Sequence, residues 1–589
     1  MMTRRDFLSR SGAAGAALAV APATTFGPWW TGRSTAEADV VVYGGGAGGF
    51  AAAVQAARMG ATVTVVEPSP WIGGMLTAAG VSALDGNKHG AGGGLVHEFR
   101  EALVRHYGSY EALFTGWISL YGYEPRVGHR ILQEMAAPLE ASGRLTILTE
   151  TEAVGVERAG ETRVVTARGA DGAEARHAGS VFVAADEYGD GLAMLGLPYR
   201  LGRESRDETG EASAPDVPDL RIQDFTYAAT LVRQPGARAP ALSAVERAYH
   251  RDWFECATTV DCPDPDPDLL NHTVHDWESF ITYAALPNDK VLLNWPHHAN
   301  DFPAPVAFYE DRFYRRQHLA ASRLHTLQFV RYMQTTLGHP EWQIAGDEYP
   351  TADGLPPIPY LRESRRLVNG RVLTTDGVVA QNGNPRAPMQ PSSIAVGDYF
   401  LDHHHAEHHL PPAERLVESF PDAAPYQIPA GVLFPDEDDR TLVGEKSIAV
   451  THIVNGSTRL QPPVMLMGQA IGAFAALATA AGRAPTLADT TAVQGALIDS
   501  GAALYAVYDV GPDHALFASV QRLALAGVLG AEDPLELAPD DLLAADVAER
   551  WARRARNTGL VPPPVPEPEA GATRGDYLAA LAAVVLPEP

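Results

Sequence analysis

The sequence is poor in cysteine and in basic residues. Only two of its 589 residues are cysteine, Cys256 and Cys262, so cysteine cannot supply a four-thiolate zinc site or an iron–sulfur cluster. Lysine and arginine number 45 against 72 aspartate and glutamate, and the net charge of −27 argues against nucleic acid or an anionic membrane as a partner. After the N-terminus no apolar run reaches the length of a membrane span. A small-molecule substrate is the partner we expect.

What the sequence does contain is a glycine-rich turn between two apolar segments. Val40–Tyr43 predicts a buried parallel strand, Phe50–Met59 a helix, and Thr62–Val66 a second strand. The G-x-G-x-x-G spacing allows a tight turn and close approach of a pyrophosphate, and an acid after the second strand can accept hydrogen bonds from ribose hydroxyls. This order predicts a dinucleotide site; the alternative is a glycine-rich turn in an empty α/β domain. The predicted cofactor-binding residues are Gly44, Gly46, Ala47, Gly49 and Glu67.

A glycine pair after the acid favours FAD over NAD. Gly73, Gly74 and Met75 lie just beyond Glu67, as in FAD-linked oxidoreductases, and we add them to the cofactor-binding residues. The run EPSPWIGGMLTAAGVSALDGN resembles the FAD-dependent oxidoreductase family of the fumarate reductase/succinate dehydrogenase flavoprotein type, and within it a poorly characterised branch. The resemblance implies an enzyme with FAD as its cofactor. The sequence has no second G-x-G-x-x-G for NAD(P)H, which disfavours a reductase supplied directly by nicotinamide.

The resemblance also implies the fold class, which is α/β. We expect a doubly wound Rossmann-like FAD domain, an inserted α+β substrate domain and a small helical C-terminal tail. The FAD domain is assigned to residues 37–205 and 391–483, the substrate domain to 206–390 and the helical region to 484–589. The tail has a faint likeness to one S-layer homology repeat; a helical cap on the main body is the alternative.

Further FAD contacts are implied by the resemblance at three other places in the chain. Leu145–Leu148 and Glu152–Val156 are predicted as paired strands, and in the family the second lies beside the adenine. The corner after a buried strand, at Asp186, usually closes over FAD, although capping of the loop is an equal alternative there. A late strand and a helix with small residues return to the cofactor. The residues implied are Val154, Asp186, Gly444, Gly468 and Gln469.

The N-terminal residues 1–36 are interpreted as a Tat signal and linker. Arg4 and Arg5 precede a weakly apolar stretch rich in alanine and glycine, as in signals of the Tat route, which carries folded proteins. The alternative is an ordinary N-terminus with two chance arginines. We expect a periplasmic or extracellular protein, in which a disulfide between Cys256 and Cys262 is permitted.

Histidines and an arginine are the catalytic candidates. The run Asp402–His409 offers a base in His403 or His404, because an imidazole titrates near neutral pH and the family branch has an Asp-x-His pattern there. His452 and Arg459 fall in a segment that resembles one in which an arginine contacts substrate near the flavin. No metal ligand is assigned. The alternative is a metal site on a helical face, from His404 with His408 or His405 with His409.

Two other polar groups are candidates for the substrate site. Arg362, Arg365 and Arg366 are so close in sequence that they could bind a carboxylate or phosphate, or could form a salt-bridged face. Asn294, Trp295, His297, His298 and Asp301 would suit a polar substrate pocket with an aromatic platform; the alternative is a packed tryptophan with surface histidines.

The predicted function is that of an exported FAD-dependent oxidoreductase. It would transfer a hydride between a small polar substrate that bears a hydroxyl or an amine and the flavin N5. A flavin-dependent reductase or monooxygenase is one alternative. Another, from a different class, is a surface carbohydrate-binding protein with a vestigial FAD fold. The electron acceptor cannot be read from the sequence.

Overall fold

The structure is a computed structural model, which describes residues 35–86, 92–240, 253–255, 257–258, 276–294, 299–405, 418–559 and 565–586. Thr35–Pro589 belongs to one structural unit. The predicted signal up to residue 34, the disulfide between Cys256 and Cys262, the substrate-pocket candidates Trp295, His297 and His298, and the histidine pairs that involve His408 and His409 lie outside the described residues.

The strands of the described residues are mostly short outside the N-terminal third of the chain. In chain order they are β1 (Thr35–Tyr43), β2 (Val63–Val66), β3 (Leu145–Leu148), β4 (Thr151–Ala159), β5 (Thr162–Gly169), β6 (Glu174–Ala184), β7 (Tyr199–Arg200), β8 (Phe225–Thr226), β9 (Ala229–Arg233), β10 (Ala285–Leu286), β11 (Lys290–Leu293), β12 (Asp301–Phe302), β13 (Trp342–Ile344), β14 (Tyr360–Leu361), β15 (Arg366–Leu367), β16 (Ser393–Gly397), β17 (Tyr426–Pro429) and β18 (Thr441–Val443).

The helix predicted at Phe50–Met59 is present and runs from Ala47 to Arg58. The helices of the described residues are α1 (Ala47–Arg58), α2 (Gly94–Tyr107), α3 (Pro125–Ala141), α4 (Asp190–Leu195), α5 (Arg206–Thr209), α6 (Trp277–Thr282), α7 (Val306–Glu310), α8 (Arg312–Thr335), α9 (His452–Thr458), α10 (Gln461–Ala480), α11 (Thr490–Asp499), α12 (Phe517–Leu525), α13 (Ala545–Asn557) and α14 (Arg574–Val585).

A seven-stranded sheet holds the glycine-rich turn. Its order is β3-β2-β1-β6-β5-β4, with β18 also paired to β6. β1, β2, β3, β6 and β18 pair in parallel, whereas β4, β5 and β6 form an antiparallel meander. Val40, Val41 and Val42 are buried, as expected of a strand covered on both faces. The mixed α/β sheet agrees with the expected FAD-binding Rossmann-like domain.

Helix α10 crosses α1 at backbone distance. A methyl group on Gly468 would clash with the carbonyl oxygen of Gly48, and one on Gly472 with that of Ala52. α10 is 20 residues long with a mean hydropathy of 1.5, so by length and composition it could cross a membrane, but 83% of its apolar stretch is buried inside the protein. The expectation that no apolar run reaches this length was therefore wrong. Here the run is a core helix.

The other strands form smaller sheets. They have the orders β10-β11-β9-β13 and β12-β8-β14, with the pairs β7–β15 and β16–β17. Two hydrophobic clusters, apart from the main core, draw on residues between 201 and 361. This range falls largely within the predicted substrate domain, whose separation from the rest of the unit stays a prediction. The C-terminal helices bury Trp551 and Tyr577 in the main core.

Two local expectations differ from the structure. β1 begins at Thr35, before the expected boundary, because its first residues pair with β6. β3 and β4 were expected to pair with each other, but they lie at opposite ends of the sheet order. The residues that link β3 to β4 are hydrogen-bonded to the segment after β2, because the amides of Glu150 and Thr151 donate to the carbonyls of Ser69 and Glu67. A short connection therefore leads away from β3 and does not form a hairpin.

We predict that Gly472→Ala destabilises the protein by about 1–3 kcal/mol, the usual cost of overpacking a core, because the new methyl group meets backbone atoms that cannot move independently. Gly495→Ala is the matched control, since this helical glycine has no atom within 4 Å of an added Cβ and alanine suits a helix better. Thermal unfolding of the two variants gives the comparison. Equal midpoints would contradict the close crossing of α1 and α10.

Candidate active site

The glycine-rich turn joins β1 to α1, and nearby backbone atoms leave no room for a side chain at two of its glycines. Gly44 has φ +96°, and an added Cβ would clash with the carbonyl of Ala185. A Cβ on Gly49 would clash with the carbonyl oxygen of Gly44, so the helix approaches the strand as the motif requires. The turn thus has the conformation that the spacing predicts.

Glu67 follows β2 and faces this turn. Its side chain is buried, with Oε2 accepting from the Gly45 amide at 2.6 Å and Oε1 accepting from the Ser69 amide at 2.7 Å. Burial raises the pKa of Glu67 to about 7, although the hydrogen bonds from Ser69 and Gly45 lower it in part. Glu67 thus acts as a hydrogen-bond acceptor in the structure. The sequence predicts the same role for it toward ribose hydroxyls.

Glu445 is a site residue that the sequence reasoning missed. It follows β18 at φ +53°, and its Oε1 accepts from the Gly48 amide at 2.6 Å, in the first turn of α1. Its Oε2 is buried without a hydrogen-bond partner in the described part of the chain. Burial raises the pKa of Glu445 to about 7, against the opposing charge of Lys446. The signal was present in the sequence, since Glu445 directly follows the predicted contact Gly444.

These residues fit FAD by the chemistry of their donors and acceptors. At the start of α1 the Gly48 amide donates to the Glu445 carboxylate. Amides in this position can therefore bind negatively charged oxygens, which is what binding of a pyrophosphate requires. A Cβ on Gly46 would come within 2.5 Å of Glu445 Oε1 and 3.2 Å of Glu187 Oε1, so only glycine leaves this cradle open. Glu187 Oε1 is also buried without a hydrogen-bond partner among the described residues, and such oxygens suit hydroxyl donors.

The glycine pair Gly73 and Gly74 packs directly on the glycine-rich turn. Gly73 has φ +101° and Gly74 has φ +50°, and a Cβ on Gly74 would lie 2.8 Å from the Cα of Gly46. Ala47 begins α1, and Met75 is buried beside the pair. Their predicted contact with the cofactor stays a prediction, which this proximity supports.

The remaining predicted cofactor residues have local roles that the structure defines. Val154 lies at a bulge of β4, where the register with β5 shifts, and bulges are frequent beside functional sites. Asp186 accepts from the amides of Asp190 and Gly191 at 2.7 and 2.9 Å, so it caps α4. Gly468 carries the close helix crossing, and Gln469 accepts from the Leu95 amide. A Cβ on Gly444 would lie 3.0 Å from Ile471.

A polar cavity of about 510 Å³, part of it open to solvent, lies among residues that the sequence assigned to the predicted FAD and substrate domains. It contains two predicted catalytic residues, His404 and Arg459, together with charged, amide, tyrosine and aliphatic side chains. Its lining residues are Val81, Ala83, Asp85, Ile118, Tyr283, Ala284, Leu292, Asn294, Tyr360, Arg362, Tyr399, Asp402, His404, Arg459, Leu460 and Gln461.

His404 is held between two carboxylates. Its Nδ1 lies 2.8 Å from Asp301 Oδ2, and its Nε2 lies 2.9 Å from Asp402 Oδ2. Both contacts are hydrogen bonds only when both nitrogens carry protons, so the arrangement suits an imidazolium. Burial raises the pKa of Asp301 and Asp402, but Arg362 and His404 at Asp301, and His404 and Arg459 at Asp402, outweigh it and hold both pKa values below the usual range.

Arg459 connects the same group to the cavity wall. Its Nη2 donates to Asp402 Oδ2 at 2.7 Å, and its Nη1 donates to the Tyr360 hydroxyl at 2.5 Å. Arg362 forms an ion pair with Asp301 at 3.0 Å and donates to Asn294 at 3.3 Å. Each guanidinium in the wall is therefore paired with a carboxylate of the protein.

His403 and His452 lie together, and neither is among the residues that line the cavity. Their rings are 4.7 Å apart, and His403 Nε2 lies 2.8 Å from the carbonyl oxygen of His452. Burial lowers the pKa of His403 to about 3. The sequence had grouped these residues with His404 and Arg459 as catalytic. Their catalytic roles stay predictions.

The three clustered arginines form salt bridges with carboxylates of the protein, which is the alternative to binding a carboxylate or phosphate of a ligand. Besides Arg362, Arg365 pairs with Asp190 at 2.6 Å and Arg366 with Glu363 at 2.9 Å, and all three are buried. A buried guanidinium needs such a partner. The segment 401–405 is not helical, so the proposed helical metal face has no support in the described residues.

We predict that Glu67→Gln changes how stability depends on pH. The pKa of Glu67 lies above the ordinary 4.5, so its contribution to folding is complete below about pH 4.5 and is lost as pH rises toward 7. The variant does not titrate, so its thermal midpoint should gain on that of the wild type between pH 4.5 and 7. Glu161→Gln, at a largely exposed residue, is the control that should leave the profile unchanged. Parallel wild-type and Glu67→Gln profiles would contradict the buried, protonated state.

Comparisons with solved structures give only weak likenesses. CabE, an aromatic hydroxylase from angucycline biosynthesis, matches at 14% identity with a TM-score of 0.23, over 34% of this chain and 38% of that one. The p-nitrophenol 4-monooxygenase PnpA from Pseudomonas putida DLL-E4 matches at 14% identity with a TM-score of 0.23, over 34% and 48%. L-proline dehydrogenase from P. horikoshii matches at 16% identity with a TM-score of 0.17, over 30% and 28%. The chain thus spans less than half the length of these proteins, and TM-scores this low support no inference about function.

No curated protein matches the chain. A family model described as FAD dependent oxidoreductase, however, matches residues 39–497, which is most of the sequence. The match begins at the first strand of the glycine unit and extends beyond α10. It confirms FAD as the cofactor and an oxidoreductase as the class of enzyme. The chain therefore belongs to the FAD-dependent oxidoreductase family.

Proposed function

We propose that this enzyme oxidises a neutral molecule that bears several hydroxyl groups, such as a sugar or polyol, with FAD as the oxidant. The observation that carries the proposal is the balance of charge in the polar cavity. Asp85, Asp301 and Asp402 face Arg362, Arg459 and a protonated His404. Three negative charges are thus matched by three positive ones, and no unpaired cation remains in this group for an anionic substrate.

The rest of the cavity wall suits hydroxyl groups. Tyr283, Tyr360 and Tyr399 add phenolic oxygens, and Asn294 and Gln461 add amides. Such side chains both donate and accept hydrogen bonds, as the hydroxyls of a polyol do. A dicarboxylate substrate, by contrast, would need free cationic partners.

Oxidation of an alcohol removes a hydride from carbon and a proton from oxygen. FAD, when bound, accepts the hydride at its flavin ring. The proton needs a base in the cavity, and His404 in the observed arrangement has no free nitrogen lone pair. Asp402 is held ionised by His404 and Arg459, which weakens it as a base. Asp85, whose Oδ2 accepts from the Tyr399 hydroxyl at 2.7 Å, is the better acceptor.

Anaerobic flavin bleaching tests the substrate class. We expect the flavin absorption of the purified enzyme to bleach with a pool of sugars and polyols, and to persist with pools of dicarboxylates, hydroxy acids or amines. Bleaching by dicarboxylates or hydroxy acids alone would overturn the charge argument. Bleaching by amines alone would support oxidation by the flavin but would contradict a sugar or polyol as the substrate.

Asp85→Asn tests the base in the same assay. We expect the rate of bleaching to fall by about 10²–10⁴-fold, the usual contribution of a positioned base, while FAD remains bound. Asp439→Asn, at a residue whose side chain is 78% exposed, is the control for a lost carboxylate and should retain the wild-type rate. A wild-type rate in Asp85→Asn would assign the proton to another group.

Export by the Tat route is part of the proposal, on the basis of Arg4 and Arg5 in the sequence. Replacing both by lysine keeps the charge but removes the twin arginine. We expect the wild-type protein in the periplasmic or extracellular fraction with FAD bound, and the double variant in the cytoplasm with the same flavin spectrum. Export of both proteins in equal amounts would contradict this route.

A further inference from the structure

Three side chains outside the polar cavity converge on one point. His405 comes from the loop after β16, Glu418 from the segment before β17, and His452 from the start of α9. One ligand atom of each lies within 4.8 Å of those of the other two. His405 Nε2 is 3.3 Å from Glu418 Oε2, and His452 Nε2 is 3.9 Å from Glu418 Oε1.

Apart from their contacts with one another, the converging atoms have no partner in the described part of the chain. His405 Nε2, Glu418 Oε2 and His452 Nε2 are each buried and have no hydrogen-bond partner there. The side chain of His452 is only 1% exposed. Three unsatisfied polar atoms at one buried point are costly, and each such case in a native protein calls for an explanation.

His452 is oriented by a carboxylate behind it. Its Nδ1 lies 3.0 Å from Glu363 Oε2, which leaves Nε2 directed toward Glu418 and His405. Metal-binding histidines commonly donate their second N–H to a carboxylate in this way, which fixes the tautomer and makes the ligating nitrogen more basic. Glu363 is itself fixed by Arg366, whose Nε donates to Oε1 at 2.9 Å.

The surrounding charge also suits a dication. The linked ionic groups comprise five carboxylates and three guanidiniums: Glu204, Glu208, Asp219, Glu363, Glu418, Arg200, Arg203 and Arg366. With neutral imidazoles, this network has an excess of two negative charges. Glu363 and Glu418, the carboxylates nearest the ligand atoms, favour a bound cation at this point.

We propose that His405, Glu418 and His452 bind one divalent transition-metal ion, with Zn²⁺ as the ion that this donor set favours. Two imidazole nitrogens and one carboxylate oxygen form a typical three-ligand site, which keeps a further position for water or another ligand. The ligand atoms are slightly farther apart than around a bound Zn²⁺, so a small inward movement accompanies binding. The site differs from the helical histidine face considered from the sequence. It does not depend on the proposed substrate.

Equilibrium dialysis of the FAD-loaded enzyme tests the site. The protein, made without a histidine tag and stripped with a chelator, is dialysed against buffered free Zn²⁺, and bound zinc is measured by elemental analysis. We expect one equivalent of zinc per chain, with saturation. Glu418→Gln and His405→Gln should each weaken binding by at least ~100-fold, and Glu363→Gln by ~10–100-fold as an outer partner of His452.

The controls separate loss of the site from loss of the fold. His106→Gln removes an exposed histidine outside the cluster and should leave zinc binding unchanged. Glu418→Gln retains an oxygen that can accept from Arg203, so its flavin spectrum and circular dichroism should match those of the wild type. Absence of saturable binding, or equal binding by the wild type and the correctly folded Glu418→Gln variant, would overturn the proposal. Because the readout is bound metal, it is independent of the outcome of the sugar and polyol assay.

Discussion

The contact on which the cofactor domain depends is the crossing of α10 over α1. At Gly468 and Gly472 there is no room for a side chain, because the carbonyl oxygens of Gly48 and Ala52 lie where a Cβ would be. This contact fixes α10 against α1, and in the first turn of α1 the Gly48 amide donates a hydrogen bond to Glu445. The position of the anion-binding amides thus follows from how closely two helices can approach.

Charge is the second constraint on this molecule. In the polar cavity, Arg362, Arg459 and His404 are all matched by carboxylates from the protein itself. A fully paired group of this kind is rigid and presents alternating donors and acceptors, with little net field. The cluster around His452 differs, because its carboxylates outnumber its guanidiniums and three of its ligand atoms remain unsatisfied. This difference led us to propose a neutral substrate for the first site and a cation for the second.

The glycine unit could be predicted from the sequence because its physics is local. Strand, turn, helix and acid follow each other within 30 residues, and Gly44, Gly49 and Glu67 have the geometry that their spacing predicts. The pairing of β3 with β4 could not be predicted correctly, since adjacency in sequence does not reveal that the link is bound to Ser69 and Glu67. Glu363 and Glu418 were missed for a related reason, because His452 and Arg203, which contact them, lie far away in the chain.

Strand β6 has two neighbours along one edge, and this arrangement bears on how the chain folds. Its first half pairs with β5, which is adjacent in sequence, but its second half pairs with β18. Ser180 and Arg440, which meet beside this junction, are 260 residues apart. During synthesis the end of β6 stays an open sheet edge until most of the chain has been made, and open edges are where misfolding and aggregation begin. The sheet that holds the glycine-rich turn therefore begins early in synthesis but is complete only once β18 has been made.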